Sequence, residues 1–386
     1  MDRGLMLTNA DIVQLTDWRH ALHRAPELSG HEENTARMVT AALAPTNPDQ
    51  IITGLGGHGV AAIYQSPNPG PIVMIRAELD ALPITELTNL AHSSQIPGHG
   101  HLCGHDGHMT ILHGLARLLG RRRPATGRVI LLFQPAEEDG SGAAAVIADP
   151  RFATLATDWA FALHNYPGLP FGHAMLAAGP ANCASMGLKI GLTGKTAHAS
   201  QPQTGLSPAL AIATLIPALN ALGQGGALAP DYRLVTLTHA RIGEPAFGIA
   251  PGYGELWATL RTLTDDGMAG LISAAETLAR TTADAHGLSL SLGHHDHFHA
   301  CFNHPQATAH LQHALQAERI SLAPSTLPMR ASEDFGRFGA TAKSAMVFLG
   351  AGDTHPALHN PDYDYPDALT PIGIRIFLRV ITDLLG

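Results

Sequence analysis

Arg128-Val-Ile-Leu-Leu-Phe133-Gln-Pro-Ala-Glu137-Glu138 decides the architecture. From Val129 to Phe133 the run is uninterruptedly apolar, so it has no polar face to give to water. A strand of that kind is buried on both sides, as in a parallel sheet covered by helices. It then runs straight into polar and acidic residues. The same grammar recurs along the chain. Ile72-Val-Met-Ile75 runs into Arg76-Ala-Glu78-Leu-Asp80, Trp159-Ala-Phe-Ala-Leu163 runs into His164, and Met346-Val-Phe-Leu349 precedes a loop with His355 and His359. Gly59-Val-Ala-Ala-Ile-Tyr64 is a further buried strand. Helical spacing of apolar residues predicts helices over Asp11 to Ala25, Asp106 to Gly120 and Ile372 to Leu385. Strands alternating with helices define a mainly parallel α/β sheet.

From Ala184 the pattern changes. Strands are expected over Gly187–Leu192, Leu234–His239, Gly254–Arg261 and Leu288–His294, and helices over Ser207–Leu222 and Thr264–His286. That β-α-β-β-α-β order is the ferredoxin-like unit. The expected organisation is a discontinuous α/β domain, residues 1–183 and 301–386, interrupted by a ferredoxin-like domain over 184–300.

Composition bounds the function. A chain of 386 residues with 45% apolar and 14% charged residues is globular and long enough for two domains. Its formal charge of -9 argues against a nucleic-acid partner, which needs a basic surface. The one basic run, Arg121-Arg122-Arg123, follows Leu118-Leu119-Gly120 and reads as a solvated helix end. Three widely spaced cysteines, Cys103, Cys183 and Cys301, suggest a reducing compartment. Met1-Asp2-Arg3-Gly4-Leu5 lacks a signal-peptide pattern, and the most apolar window, Pro208 to Leu222, is broken by Pro217 and too short to span a bilayer. A soluble cytoplasmic protein without membrane contact is the expectation. Of the 24 histidines, those in His294-His295-Asp296-His297-Phe298-His299 are expected on a strand with exposed imidazoles.

Cys103-Gly-His105-Asp106-Gly-His108 concentrates thiol, imidazole and carboxylate at the start of an apolar helix. Thiolate and imidazole are the ligands a borderline-soft divalent ion prefers. Glu137-Glu138, His164 and His359 follow buried strands, and ligands in open α/β sheets collect at strand carboxyl ends. Each alone has a plainer role. Cys103 suits a small buried hydrophobe, His164 a core histidine, and the two glutamates a solvated helix start. One metal-hydrolase centre explains them together. His108 and His113 read as structural, and Asp106 as a helix cap or a support for a ligand.

Several stretches jointly resemble one family. They are Arg76-Ala-Glu-Leu-Asp80-Ala-Leu-Pro83, His101-Leu-Cys103-Gly-His105-Asp-Gly-His108, Phe133-Gln-Pro-Ala-Glu137-Glu138, Leu163-His164-Asn, Gly194-Lys-Thr-Ala-His198-Ala, Ser332-Glu-Asp-Phe335 and Leu358-His359-Asn-Pro. The family is the aminoacylase-related metal amidohydrolases and metallopeptidases, in the branch of hippurate and auxin-amino-acid conjugate hydrolases. The resemblance implies a two-metal catalytic domain and an inserted lid used for dimerisation. It implies Cys103 as the ligand bridging two divalent ions, with His105, Glu138, His164 and His359 completing the shells. Zinc is the first expectation, and manganese, cobalt or nickel are alternatives. Glu137 would be the catalytic carboxylate, with Asp80 and Asp106 supporting the ligands. His198 would bind substrate and stabilise the oxyanion, and Arg261 would meet a substrate carboxylate. Two positions depart from the pattern: Gly248-Ile-Ala-Pro251-Gly252 lacks an asparagine at its start, and Met186 replaces an aspartate.

The expected activity is hydrolysis of N-acyl amino acids or related small amides by a homodimer or higher homo-oligomer. A dipeptidase or carboxypeptidase of the same family, a non-catalytic metal or ligand binder, and a cysteine hydrolase using Cys103 with His105 are the alternatives.

Overall fold

The computed structural model describes residues 7–386, so the Met1–Leu5 reading lies outside the described residues. The chain divides into two compact units: Met1–Ala181 with Phe302–Leu327 and Asp334–Gly386, and Asn182–Cys301 with Pro328–Glu333. The short excursion Pro328–Glu333 into the second unit has no counterpart in the sequence reading.

In the first unit a seven-stranded sheet runs in the order Gln50–Leu55, Gly59–Gln65, Arg128–Gln134, Ile72–Glu78, Trp159–Pro167, Lys343–Gly352, Ala174–Met175. The four strands from Arg128–Gln134 to Lys343–Gly352 are mutually parallel, and the flanking pairs are antiparallel. Val129 to Phe133 is fully buried, as the unbroken apolar run demands. Register aligns the carboxyl ends: Glu78 lies beside Gln134, and His164 beside Phe348. The residues that follow these strands therefore emerge at one edge of the sheet, where open α/β sheets bind their ligands.

The helix His105–Arg121 packs between the helices Asn9–Arg24 and Thr370–Leu385. The first of these neighbours begins at a capping box in which Thr8 and Asp11 satisfy each other's backbone amides. The central helix is buried almost all round, and Leu112, Leu115 and Phe377 meet in one core. Each such side chain contributes about 1.5–3 kcal/mol. At the far end of that helix, Arg121 is paired with Asp11 at 2.5 Å rather than simply solvated.

The second unit has the β-α-β-β-α-β order, with strands Ala184–Thr193, Arg233–Ile242, Tyr253–Thr262 and Ser289–Phe298 and helices Ala209–Ala221 and Asp265–Ala285. All neighbouring strands are antiparallel, with Tyr253–Thr262 and Ala184–Thr193 in the middle. Met186, one of the two departures from the family pattern, lies buried in this unit's core with Leu188, Leu260 and Leu271. The first helix continues through Pro217. The histidine-rich stretch is a strand as far as Phe298; His294 on it and His299 just beyond it pair with Glu276 and Asp265. Among the described residues, no helix is long and apolar enough to cross a membrane.

Candidate metal centre

Gly104 turns the chain between the two leading ligand candidates. Its φ is +91°, and a Cβ there would lie 2.0 Å from the Asn165 side-chain oxygen, so only glycine fits. Cys103 and His105 are thereby held on either side of the helix start. The His105 Nδ1–H donates to the Asp80 carbonyl at 2.9 Å, which leaves Nε2 as the atom an ion could take. That Nε2 is buried and has no hydrogen-bond partner. His164 is fixed the same way, with Nδ1 2.8 Å from the Asn165 carbonyl and Nε2 3.5 Å from Cys103 Sγ. The Glu138 carboxylate lies 3.8 Å from His105 Nε2 and 3.5 Å from His359 Nε2. His359 adopts a left-handed φ of +66° while its amide donates to the Leu102 carbonyl at 2.8 Å.

Two sets of donor atoms result, each within 4.8 Å: Cys103, His105 and His164, and Cys103, Glu138 and His359. Cys103 belongs to both. The five ligand candidates read from the sequence are thus brought together in the first unit. The donor set suits borderline divalent ions, and the imidazoles carry the carbonyl contacts that fix metal-binding tautomers.

Electrostatics agree. Burial and the charges of Glu138 and Glu137 push the Cys103 thiol well up. Burial would lower His105, but the Asp80 hydrogen bond and the charges of Glu78 and Glu138 outweigh it and raise the imidazole to about 10. Burial and the nearby His108 push His164 down to about 3. The site is rich in buried negative charge, which a cation would offset.

Glu137 follows Ala136, whose φ is +49° and whose amide donates to buried Glu32 at 2.8 Å. The Glu137 carboxylate accepts the Asp334 amide at 3.4 Å and groups with His105 and Glu138. Asp80 is a brace: its Oδ2 accepts the Glu138 amide at 2.9 Å and the Ser29 hydroxyl at 2.7 Å. Asp106 turns away from the ligands to Arg19 and His23, at 3.0 and 2.8 Å.

The sequence reading missed two buried networks behind these groups. Arg76 contacts Glu78, Gln134 and Asp334, and Asp334 also accepts the Ala143 amide at 2.8 Å. His108 lies between Glu78 at 2.6 Å and Asn165 at 2.8 Å. The available signal was Arg76 and Glu78 inside an otherwise apolar strand, since buried charges are paired.

His198 and Arg261 belong to the second unit. Exposed His198 accepts the Ser200 amide at Nδ1, 3.1 Å away, so Nε2 carries its proton. The neighbouring Ile249–Ala250 strand pairs with Ala197–His198, and the Gly248 carbonyl accepts the Ala199 amide at 3.0 Å. Arg261 donates through Nη1 to the Arg330 carbonyl at 2.9 Å and the Ser332 hydroxyl at 2.8 Å.

A parallel-centred α/β sheet with a thiol, imidazoles and carboxylates at its strand ends defines a metal-dependent amide hydrolase. The profile of peptidase family M20/M25/M40 matches residues 74–383, and the chain belongs to that family. The N-acetyl-L-cysteine deacetylase of Bacillus subtilis is 30% identical over 354 residues, covering 91% of this chain and 83% of the relative. The hippurate hydrolase of Campylobacter jejuni is 29% identical over 357 residues, covering 91% of each. The crystal structure of the Bacillus subtilis YXEP protein, described as a dinuclear metal binding peptidase, superposes with a TM-score of 0.80 at 24% identity, covering 98% of this chain and 99% of that one.

Proposed function

We propose that this amide hydrolase acts on N-acyl amino acids, with two divalent ions held by Cys103, His105, Glu138, His164 and His359. The observation that carries this reading is Cys103 standing in both donor sets, so that it could serve either ion. The names of the deacetylase and hippurate-hydrolase relatives support the substrate class. When bound, the ions supply Lewis acidity, polarising a carbonyl and lowering the pKa of water.

This chain's residues do the rest. Glu137 takes the proton from the attacking water and passes it to the leaving amine. The His198 Nε2–H donates to the developing oxyanion, a contribution of about 3 kcal/mol. Arg261 pairs with the substrate's carboxylate. Zinc is the ion the thiolate and imidazoles favour. The protein is proposed to act as a cytoplasmic homodimer joined through its second unit. The absence of disulfides among the described residues supports the location.

The test is hydrolysis of an N-acyl amino acid panel before and after chelation. Chelator should abolish turnover, and zinc, manganese, cobalt or nickel should restore it. Chelator-resistant turnover that iodoacetamide blocks would overturn the metal reading. Metal-loaded protein inert across the whole panel would overturn the substrate class.

A further inference from the structure

In the second unit the guanidinium groups of Arg261 and Arg330 form no ion pair among the described residues. Arg261 is half-buried at the end of the strand Tyr253–Thr262. Its acceptors, the Arg330 carbonyl and the Ser332 hydroxyl, are neutral. They fix the fork without cancelling its charge. Partly burying a cation that has no counter-ion is costly, and burial pulls Arg261 below the usual arginine range.

Arg330 is coupled to Arg261 mechanically, because its own carbonyl is one of the two groups holding that fork. Its side chain is exposed, donates through Nη2 to the Gly226 carbonyl at 2.8 Å, and lies 6.0 Å from the Tyr232 ring centre. The Tyr232 hydroxyl is buried and has no hydrogen-bond partner. Both arginines act electrostatically on Tyr232 and on buried Cys183. The four side chains therefore share one patch, in which two like charges stand together. Across a chain of formal charge -9, such a patch selects an anion.

We propose that Arg330 is a second carboxylate-binding residue beside Arg261, and that the pair selects substrates with a free carboxylate. This rests on the N-acyl amino acid reading. Arginine suits the task because its planar fork matches both carboxylate oxygens. Binding through Arg330 would be felt equally in ground state and transition state, so its loss belongs in KM.

The experiment compares N-acetyl-L-alanine with N-acetyl-L-alaninamide in wild type, Arg330→Ala and Arg330→Lys. Calorimetric titration of the same two compounds into chelator-treated protein gives a readout that does not depend on turnover. Arg330→Ala should raise KM for the free acid about tenfold with kcat nearly unchanged, consistent with losing one charge-assisted contact. It should leave the amide's KM alone. Arg330→Lys, which keeps the charge, should fall between, and the calorimetric affinity for the acid should follow the same order. Equal losses on acid and amide, or an unchanged KM for the acid in both variants, would overturn the proposal while leaving the hydrolase reading intact. Arg330-dependent binding of the acid by a protein that hydrolyses neither compound would instead keep the carboxylate site and remove the substrate class.

Discussion

Glu137 is aimed by a backbone that no side chain prefers. Ala136 before it and His359 across the site both sit at positive φ, which costs a non-glycine residue about 1–3 kcal/mol. The surrounding hydrogen bonds maintain both. The Ala136 amide is held by Glu32, and the His359 amide by Leu102. Strain retained beside the proposed base and at a proposed ligand, within one site, fits preorganisation for chemistry. Glu137→Gln removes the proton acceptor while keeping size and the contact to Asp334. Metal content measured by elemental analysis should stay at the wild-type ratio, while kcat falls by about 10²–10⁴. A variant with wild-type kcat would remove Glu137 from the mechanism. The residue types of this site were legible because thiol, imidazole and paired acids are conspicuous after apolar runs. The tautomers and the positive φ values were not, since they arise from contacts such as His105 with Asp80 that join segments far apart in the chain.

At the scale of elements, the strands were legible wherever burial on both faces left an unbroken apolar run. Their ends were not. Trp159–Pro167 continues through polar His164 and Asn165 because its backbone stays paired with Lys343–Gly352. The helix Glu33–Leu43 was not legible because it buries only Thr35, Val39 and Leu43, too thin an apolar stripe. The helices that were legible are tied together by buried charge invisible in their patterns. His23, on the helix Asn9–Arg24, lies 2.8 Å from Asp106 and 3.3 Å from Glu86. Burial alone would lower its pKa, but those two carboxylates raise it to about 9, while burial opposed by His23 and Thr88 leaves Glu86 at about 2. His23 is thus raised above its unfolded value of about 6.5, so its stabilisation is fully present below that pH and is lost as pH climbs through about 9. Glu86 acts in the opposite window, its stabilisation present above about 4.5 and lost toward pH 2. Denaturant titrations in excess chelator should therefore show wild type losing stability relative to His23→Gln between about pH 6.5 and 9. The change should be on the order of 2–3 kcal/mol. A difference that stays flat over that range would mean His23 is neutral in the fold.

For the molecule as a whole, the order of elements was readable, but the closing of the site was not. Leu79 to Asp80, Leu102 to His105, Ala136 to Glu138, His164 to Asn165 and Leu358 to His359 meet only because parallel register and the central helix bring their strand ends and loops together. An ion held by these segments binds the folded first unit and not the unfolded chain. It should therefore stabilise that unit by RT ln(1 + [M]/Kd), about 2.7 kcal/mol at a hundredfold excess over Kd. The gain should be local in the chain's own terms. Hydrogen exchange followed by mass spectrometry, with and without zinc, should slow at peptides covering those five segments together. The helices Ala209–Ala221 and Asp265–Ala285 contribute no ligand and should keep their rates. Protection confined to the histidine-rich strand Ser289–Phe298 would show zinc held by surface imidazoles instead, and would break the link between Cys103 and its distant partners.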